Sequence, residues 1–91
     1  MSEVIDNRQQ HRFELEVDGH VAKSFYKLEP GVITFIHTEV PPELGGRGIG
    51  SILIKGALDQ LRAEGLKVVP LCPFVKAWIG KNPGYKDVLK T

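Results

Sequence analysis

The chain has 91 residues, 42% of them hydrophobic, and a formal net charge of +1. That length suits one small core and argues against a second domain, while the near-balanced charge offers no global case for a nucleic-acid partner. Cys72 is the single cysteine, so an intrachain disulfide, and with it a disulfide-stapled secreted fold, is excluded. Every long apolar run is interrupted by charge before it could span a bilayer and no signal peptide is visible, so the expectation is a cytoplasmic protein with no membrane partner.

Residues 1–10 are polar and read as a flexible leader to a single domain covering 1–91. Phe13, Leu15 and Val17 then alternate with Arg12, Glu14 and Glu16, the pattern of a strand with one apolar and one wet face. Asp18-Gly19 predicts a tight primed turn into a returning strand over residues 20–28, where Phe25 and Tyr26 leave the inward face open. Glu29-Pro30-Gly31 is a second turn. "VITFIHTEV", residues 32–40, is rich in β-branched and aromatic side chains and predicts a third strand, ended by Pro41-Pro42.

From residue 48 to about 64 the period changes to 3.6. Ile49, Ile52, Leu53, Ala57 and Leu61 share one face, Ser51, Lys55, Asp59 and Arg62 lie largely opposite, and Gly65 is placed to end the helix. "LKVVPLC", residues 66–72, reads as a buried strand that a right-handed crossover sets parallel to the third. "FVKAWIGKN", residues 74–82, predicts a short helix with Phe74, Ala77 and Trp78 inward, followed by a turn towards Tyr85, Val88 and Leu89. The fold class is therefore α+β with a mixed sheet: three antiparallel strands, a long crossover helix, a fourth strand and a short helical end.

Between the third strand and the long helix stands "PPELGGRGIG", residues 41–50. The first amides of a helix lack intrahelical acceptors and carry partial positive charge. Gly45, Gly46, Gly48 and Gly50 present no side chain to an approaching anion, and Arg47 adds a fork suited to phosphate oxygens. The alternative is that the glycines serve close helix-to-sheet packing. The segment lacks the Lys-Ser/Thr of a P-loop, and it follows antiparallel strands where a dinucleotide fold needs an opening β-α-β unit.

The order strand, glycine-rich turn, amphipathic helix, strand resembles the GCN5-related N-acetyltransferase superfamily. The stretches "HTEVPPELGGRGIGSILIKGALDQLRAEGLKVVPLCPFV" and "WIGKNPGYKDVL" are similar to its small single-domain branch, and the resemblance extends over residues 11–90. It implies a truncated form of that fold and acetyl-coenzyme A as acetyl donor, with the pyrophosphate on the loop and the pantetheine arm beside the strand before it. The cofactor set implied is Val40, Gly45, Gly46, Arg47, Gly48, Ile49, Gly50 and Ser51. Gly45 stands where the family often has glutamine or arginine, and Asn82-Pro83-Gly84-Tyr85 replaces the branch's His-Pro-Glu-Tyr, so of that motif's functional side chains only Tyr85 carries over.

Four residues are candidates for the chemistry. His37 and Glu39, at the end of the strand before the loop, are candidate bases for an amine, set against roles as a structural histidine and a solvated edge or cap. Strict alternation puts both on the face of Ile33 and Phe35, a bookkeeping that a bulge would disturb. Cys72 is a small core hydrophobe, the lining of an acetyl pocket, or a nucleophile; Tyr85 is a proton donor to the leaving thiolate or a core aromatic.

The expected activity is acetyl transfer to a primary amine by direct attack, with a covalent acetyl-Cys72 route and a noncatalytic binding module as alternatives. The acceptor is unidentified and is expected to be an exposed amine, one carried by a protein among the options; monomer and homodimer both stay open. No zinc-ligand set is recognisable, so no metal is expected, and a nucleic-acid role ranks last. Lys76, Lys81, Lys86 and Lys90 make a basic region near the end of the chain, either solvated or facing an anion.

Overall fold

The computed structural model describes residues 3–90 and contains one five-stranded sheet in the order β1 (Ile5–Asn7), β2 (Arg12–Val17), β3 (His20–Glu29), β4 (Val32–Glu39), β5 (Lys67–Pro70). The first four strands are antiparallel neighbours, and β5 is parallel to β4. Asp18 and Gly19 both have positive φ, 52° and 79°, the backbone of a primed hairpin turn, and this sets the β2–β3 register from Val17↔His20 to Arg12↔Phe25.

Alternation then sorts the side chains. Phe13, Leu15, Ala22, Ser24, Tyr26, Ile33 and Phe35 are buried on an inner face. α1 (Ile49–Glu64) packs there with Ile49, Leu53, Ile54, Ala57, Leu58 and Leu61, each large aliphatic burial contributing about 1.5–3 kcal/mol. Gly65 ends the helix with φ 74°, its amide bonding the carbonyl of Arg62. α2 (Pro73–Lys81) adds Val75, Trp78 and Ile79, and a 3-10 turn over Pro83–Val88 adds Val88. No described helix is long and apolar enough to cross a membrane.

Several details differ from the sequence reading. The polar leader is tied down from Val4 onward. Ile5–Asn7 pairs with β2, the Val4 carbonyl accepts from Gln60 Nε2 at 2.6 Å, and a Cβ added at Gly56 would stand 2.5 Å from the Val4 side chain. Tyr26 donates to Asp6 at 2.6 Å; burial first, and this bond second, push its hydroxyl pKa up. The sheet therefore has five strands, four of them antiparallel. A three-residue strand with two polar residues carries no period of its own and forms because the β2 edge and α1 are there to receive it.

Ile52 is half exposed, its place in the core taken by Ile54 and Leu58. Phe74 and Ala77 lie outward on α2, where Val75 and Ile79 are buried. Leu71 is exposed because the helices cover only one face of the sheet, so the strand after α1 is not enclosed on both sides.

Candidate functional site

β4 is paired along both edges only in its first half. Against β5 the register runs from Val32↔Lys67 to Phe35↔Pro70, and the last rung is the Cys72 amide donating to the Phe35 carbonyl at 2.9 Å. Beyond it the chain turns away into α2, while β4 continues through residues 36–39 against β3 alone. The strands thus form a fork, and about 13 Å of β4 edge has no strand partner among the described residues.

A bulge lies at the mouth of this fork. Phe25 pairs with His37 and Tyr26 with Phe35, so Ile36 is the extra residue and the face alternation inverts after it. His37 and Glu39 accordingly lie on the outer face, both exposed, with imidazole Nε2 and carboxylate 3.1 Å apart and the ring stacked on Phe25. This corrects strict alternation, which put them with Ile33 and Phe35. Thr38 takes the inner face instead. Its Oγ1 is 2.9 Å from Ser24 Oγ and 3.4 Å from Cys72 Sγ. The structure therefore brings Cys72 together with Thr38 and Ser24, not with His37 and Glu39.

The glycine segment opens α1 beside the fork. Pro42–Leu44 forms a 3-10 turn whose Leu44 is buried, which anchors the loop to the core. Gly46 and Gly48 have φ of 76° and 70°, a region that side-chain-bearing residues rarely occupy. Gly48 is the N-cap without any side-chain capping bond, and the helical ladder begins with the Ile52 amide on the Gly48 carbonyl at 3.1 Å. The amides of Ile49, Gly50 and Ser51 precede that ladder and form an anion-suited helix start.

The other loop residues divide. A Cβ at Gly50 would stand 2.6 Å from the Phe74 ring, so that glycine serves close packing. Gly45 has an ordinary φ of −59° and sits against the Pro42 carbonyl. Val40 packs on the core, and Ser51 Oγ accepts from Trp78 Nε1 at 2.7 Å, which leaves its amide and its O–H donor for a ligand. Arg47, which the sequence reading offered as a fork for phosphate oxygens, pairs here with Asp18 of the hairpin turn at 2.8 Å, both side chains exposed.

Comparison with known proteins gives the site a context. A family model for the GCN5-related N-acetyl-transferase matches residues 12–88. The chain belongs to the GCN5-related N-acetyltransferase family. Mouse protein NATD1 is 31% identical over 80 residues, 85% of this chain and 73% of that protein. A phosphinothricin N-acetyltransferase of Streptomyces coelicolor is 42% identical over 53 residues, 56% of this chain and 31% of its own length. The NMR solution structure of a GCN5-like protein from Staphylococcus aureus superposes with a TM-score of 0.73 at 30% identity, covering 99% of this chain and 91% of that one. The activity class that follows is acetyl transfer.

Within this GCN5-related fold Tyr85 sits apart from the fork. Its hydroxyl donates to Asp59 at 2.8 Å, about 12 Å along the α1 axis from Ser51. Its ring meets Trp78 edge-on at 4.9 Å, and the Arg62 guanidinium covers it at 4.6 Å. Desolvation raises the Asp59 carboxyl, but the bonds from Tyr85 and Lys55 outweigh it and hold the group below its ordinary pKa. Arg62, bonded also to Asp87 and to the Gly84 carbonyl, completes a clasp between α1 and the C-terminal turn. The packing alternative for Tyr85 is the one this geometry supports.

Thr38 and Ser24 are the neighbours of Cys72 that the sequence did not single out. Ser24 is a fully buried polar residue on an otherwise apolar face, a signal visible once the β2–β3 register is known.

Proposed function

We propose that the protein transfers an acetyl group from acetyl-coenzyme A to a primary amine by direct attack. The observation that carries this reading is the fork: a one-sided β4 edge leads from an uncapped glycine helix start to a buried thiol. The residues fit the donor, since the Gly46 and Gly48 backbone and the amides of Ile49, Gly50 and Ser51 suit a diphosphate. The free edge suits an amide-bearing arm laid beside it as an added strand.

When bound, the donor supplies an acetyl thioester. The chain's own groups would then do the following. The helix start holds the anionic end, with Arg47 exchanging its exposed partner Asp18 for phosphate at little cost. The β4 edge aligns the arm and directs its tip towards Cys72 and Thr38. An amine approaching on the outer face would meet His37 and Glu39; the imidazole, held by the carboxylate, would accept its proton as the nitrogen–carbon bond replaces the thioester's carbon–sulfur bond, and would return that proton to the departing thiolate. In this arrangement Cys72 lines the acyl end while the base pair stands on the opposite face, which favours direct transfer over a covalent acetyl-cysteine.

Calorimetric titration with acetyl-coenzyme A tests this. Saturable binding, weakened several-fold by Arg47→Ala, is expected for one charged contact; a folded protein that binds no acetyl-coenzyme A would sink the proposal. The second reading, a noncatalytic binding module, rests on the commitment of the Tyr85 hydroxyl to Asp59, away from any leaving thiolate. It predicts binding without acetyl transfer across a panel of amines and without donor hydrolysis.

A further inference from the structure

We infer that the acceptor is a monoamine carried on an apolar body, and that Ile36 and Leu71 on the outer face of the sheet are the residues that select it. The inference rests on the reading of His37 and Glu39 as the pair that receives an amine. The helices cover the inner face of the sheet, which leaves the outer face of β4 and β5 bare. Ile33, Phe35 and Val68 are the buried alternates, so Val32, Thr34 and Ile36 share the outer face with Val69, which pairs with Thr34, and with Leu71 beyond it. Ile36 is 52% exposed and Leu71 68%, each directly after one member of the paired Phe35 and Pro70. Apart from one threonine the strip is aliphatic, and exposed apolar surface of this kind marks a place where something binds.

The bulge gives the strip its direction. Phe25 pairs with His37 and Tyr26 with Phe35, so the extra residue Ile36 stands beside His37 on the same outer side. The aliphatic strip therefore ends at the imidazole and carboxylate, which lie 3.1 Å apart. An amine whose nitrogen lies at that pair lays the body it carries over Ile36 and Leu71. Two strands wide and about four residues long, the strip measures on the order of 10 by 13 Å. A stable protein partner covers roughly 800 Å² per side, so the strip fits the body of a small molecule and not a second copy of the chain.

Charge separates an apolar monoamine from a polyamine. Lys23 pairs across from Glu39, Lys27 from Thr34 and Lys67 from Val32, with Glu29 a carboxylate at that far end. Lys27 and Lys67 are exposed, and Lys67 donates to the neutral carbonyl of Asp87 at 2.9 Å, which leaves its charge uncancelled. A second ammonium laid along the strip would pass between these lysines and displace apolar contact. A hydrocarbon tail meets neither penalty.

The experiment measures kcat/KM with acetyl-coenzyme A for ethylamine, butylamine, hexylamine and 1,6-diaminohexane, on wild type, Leu71→Ser, Ile36→Thr and Lys27→Glu, and the Kd for acetyl-coenzyme A by calorimetry. A methylene covered on one side raises kcat/KM about twofold, so hexylamine is expected to exceed ethylamine by about tenfold or more. The diamine, of the same length, is expected to be about fivefold poorer than hexylamine. Leu71→Ser and Ile36→Thr each lower the hexylamine-to-ethylamine ratio about threefold, and Lys27→Glu narrows the gap between hexylamine and the diamine about twofold. A flat series, a wild type that prefers the diamine, or an unchanged ratio in both Leu71→Ser and Ile36→Thr overturns the inference and leaves acetyl transfer standing. Donor binding with none of the four amines acetylated overturns the inference and favours the binding module. A folded wild-type protein that binds no acetyl-coenzyme A overturns the functional reading and the inference with it.

Discussion

The two halves of β4 differ in one respect with large consequences. Residues 32–35 are paired on both edges, alternate regularly and bury Ile33 and Phe35 completely. Residues 36–39 are paired on one edge, begin with a bulge and hold their side chains half-exposed or exposed. A doubly paired strand spends its backbone groups on the sheet; a singly paired one keeps a row of them for something else. Stability and ligand chemistry should therefore separate along a single strand.

The largest effect that tests this separation is on stability. Phe35→Ala empties a fully buried site and is expected to cost about 3–5 kcal/mol in denaturant unfolding. Thr38→Ser in the other half should cost under about 1 kcal/mol. Equal losses would erase the distinction between the halves.

Next in size is the helix start beside the singly paired half. Gly48→Val forces a β-branched residue to φ 70° and is expected to cost about 1–3 kcal/mol while weakening acetyl-coenzyme A about tenfold or more. Loss of stability without loss of affinity would make the loop a packing turn. His37→Ala probes the outer face: transfer should fall about tenfold or more with unfolding free energy unchanged within about 0.5 kcal/mol.

Tyr85→Phe sharpens the comparison from the structural side. It should leave the transfer rate unchanged and lower stability by about 1 kcal/mol at neutral pH, a hydrogen bond to a charged but half-exposed acceptor. Because the Asp59 pKa is depressed in the folded state, its contribution is fully present above the ordinary carboxylate pKa and is lost as pH falls through the lowered folded value. The wild-type and Tyr85→Phe unfolding energies should accordingly converge in acid, and a gap that stays constant would remove the charge from this explanation. The smallest effect is Asp18→Asn, which frees Arg47 and should tighten acetyl-coenzyme A about twofold.

Much of the frame was legible. The Asp18-Gly19 turn sets a hairpin, α1 runs from Ile49 to Glu64 and stops at Gly65, and β5 is parallel to β4, as crossover geometry requires. These follow from local periodicity and turn chemistry. The candidate site was legible in its parts but not in its pairings. Arg47 meets Asp18 from 29 residues away, and Thr38 meets Cys72 from 34, distances over which no sequence period speaks.

What the sequence by itself determined is the order of elements, the apolar face of α1, the family and the presence of a glycine-opened helix after a strand. The tertiary structure decided which residues share a face at the fork, because side-chain direction in a strand is a running count and the extra residue at Ile36 reverses every position after it. It also decided that Ile5–Asn7, two of whose three residues are polar, makes a strand and that Tyr85 belongs to a clasp on α1. Both outcomes depend on partners that exist only once the sheet edge and the helix are already in place.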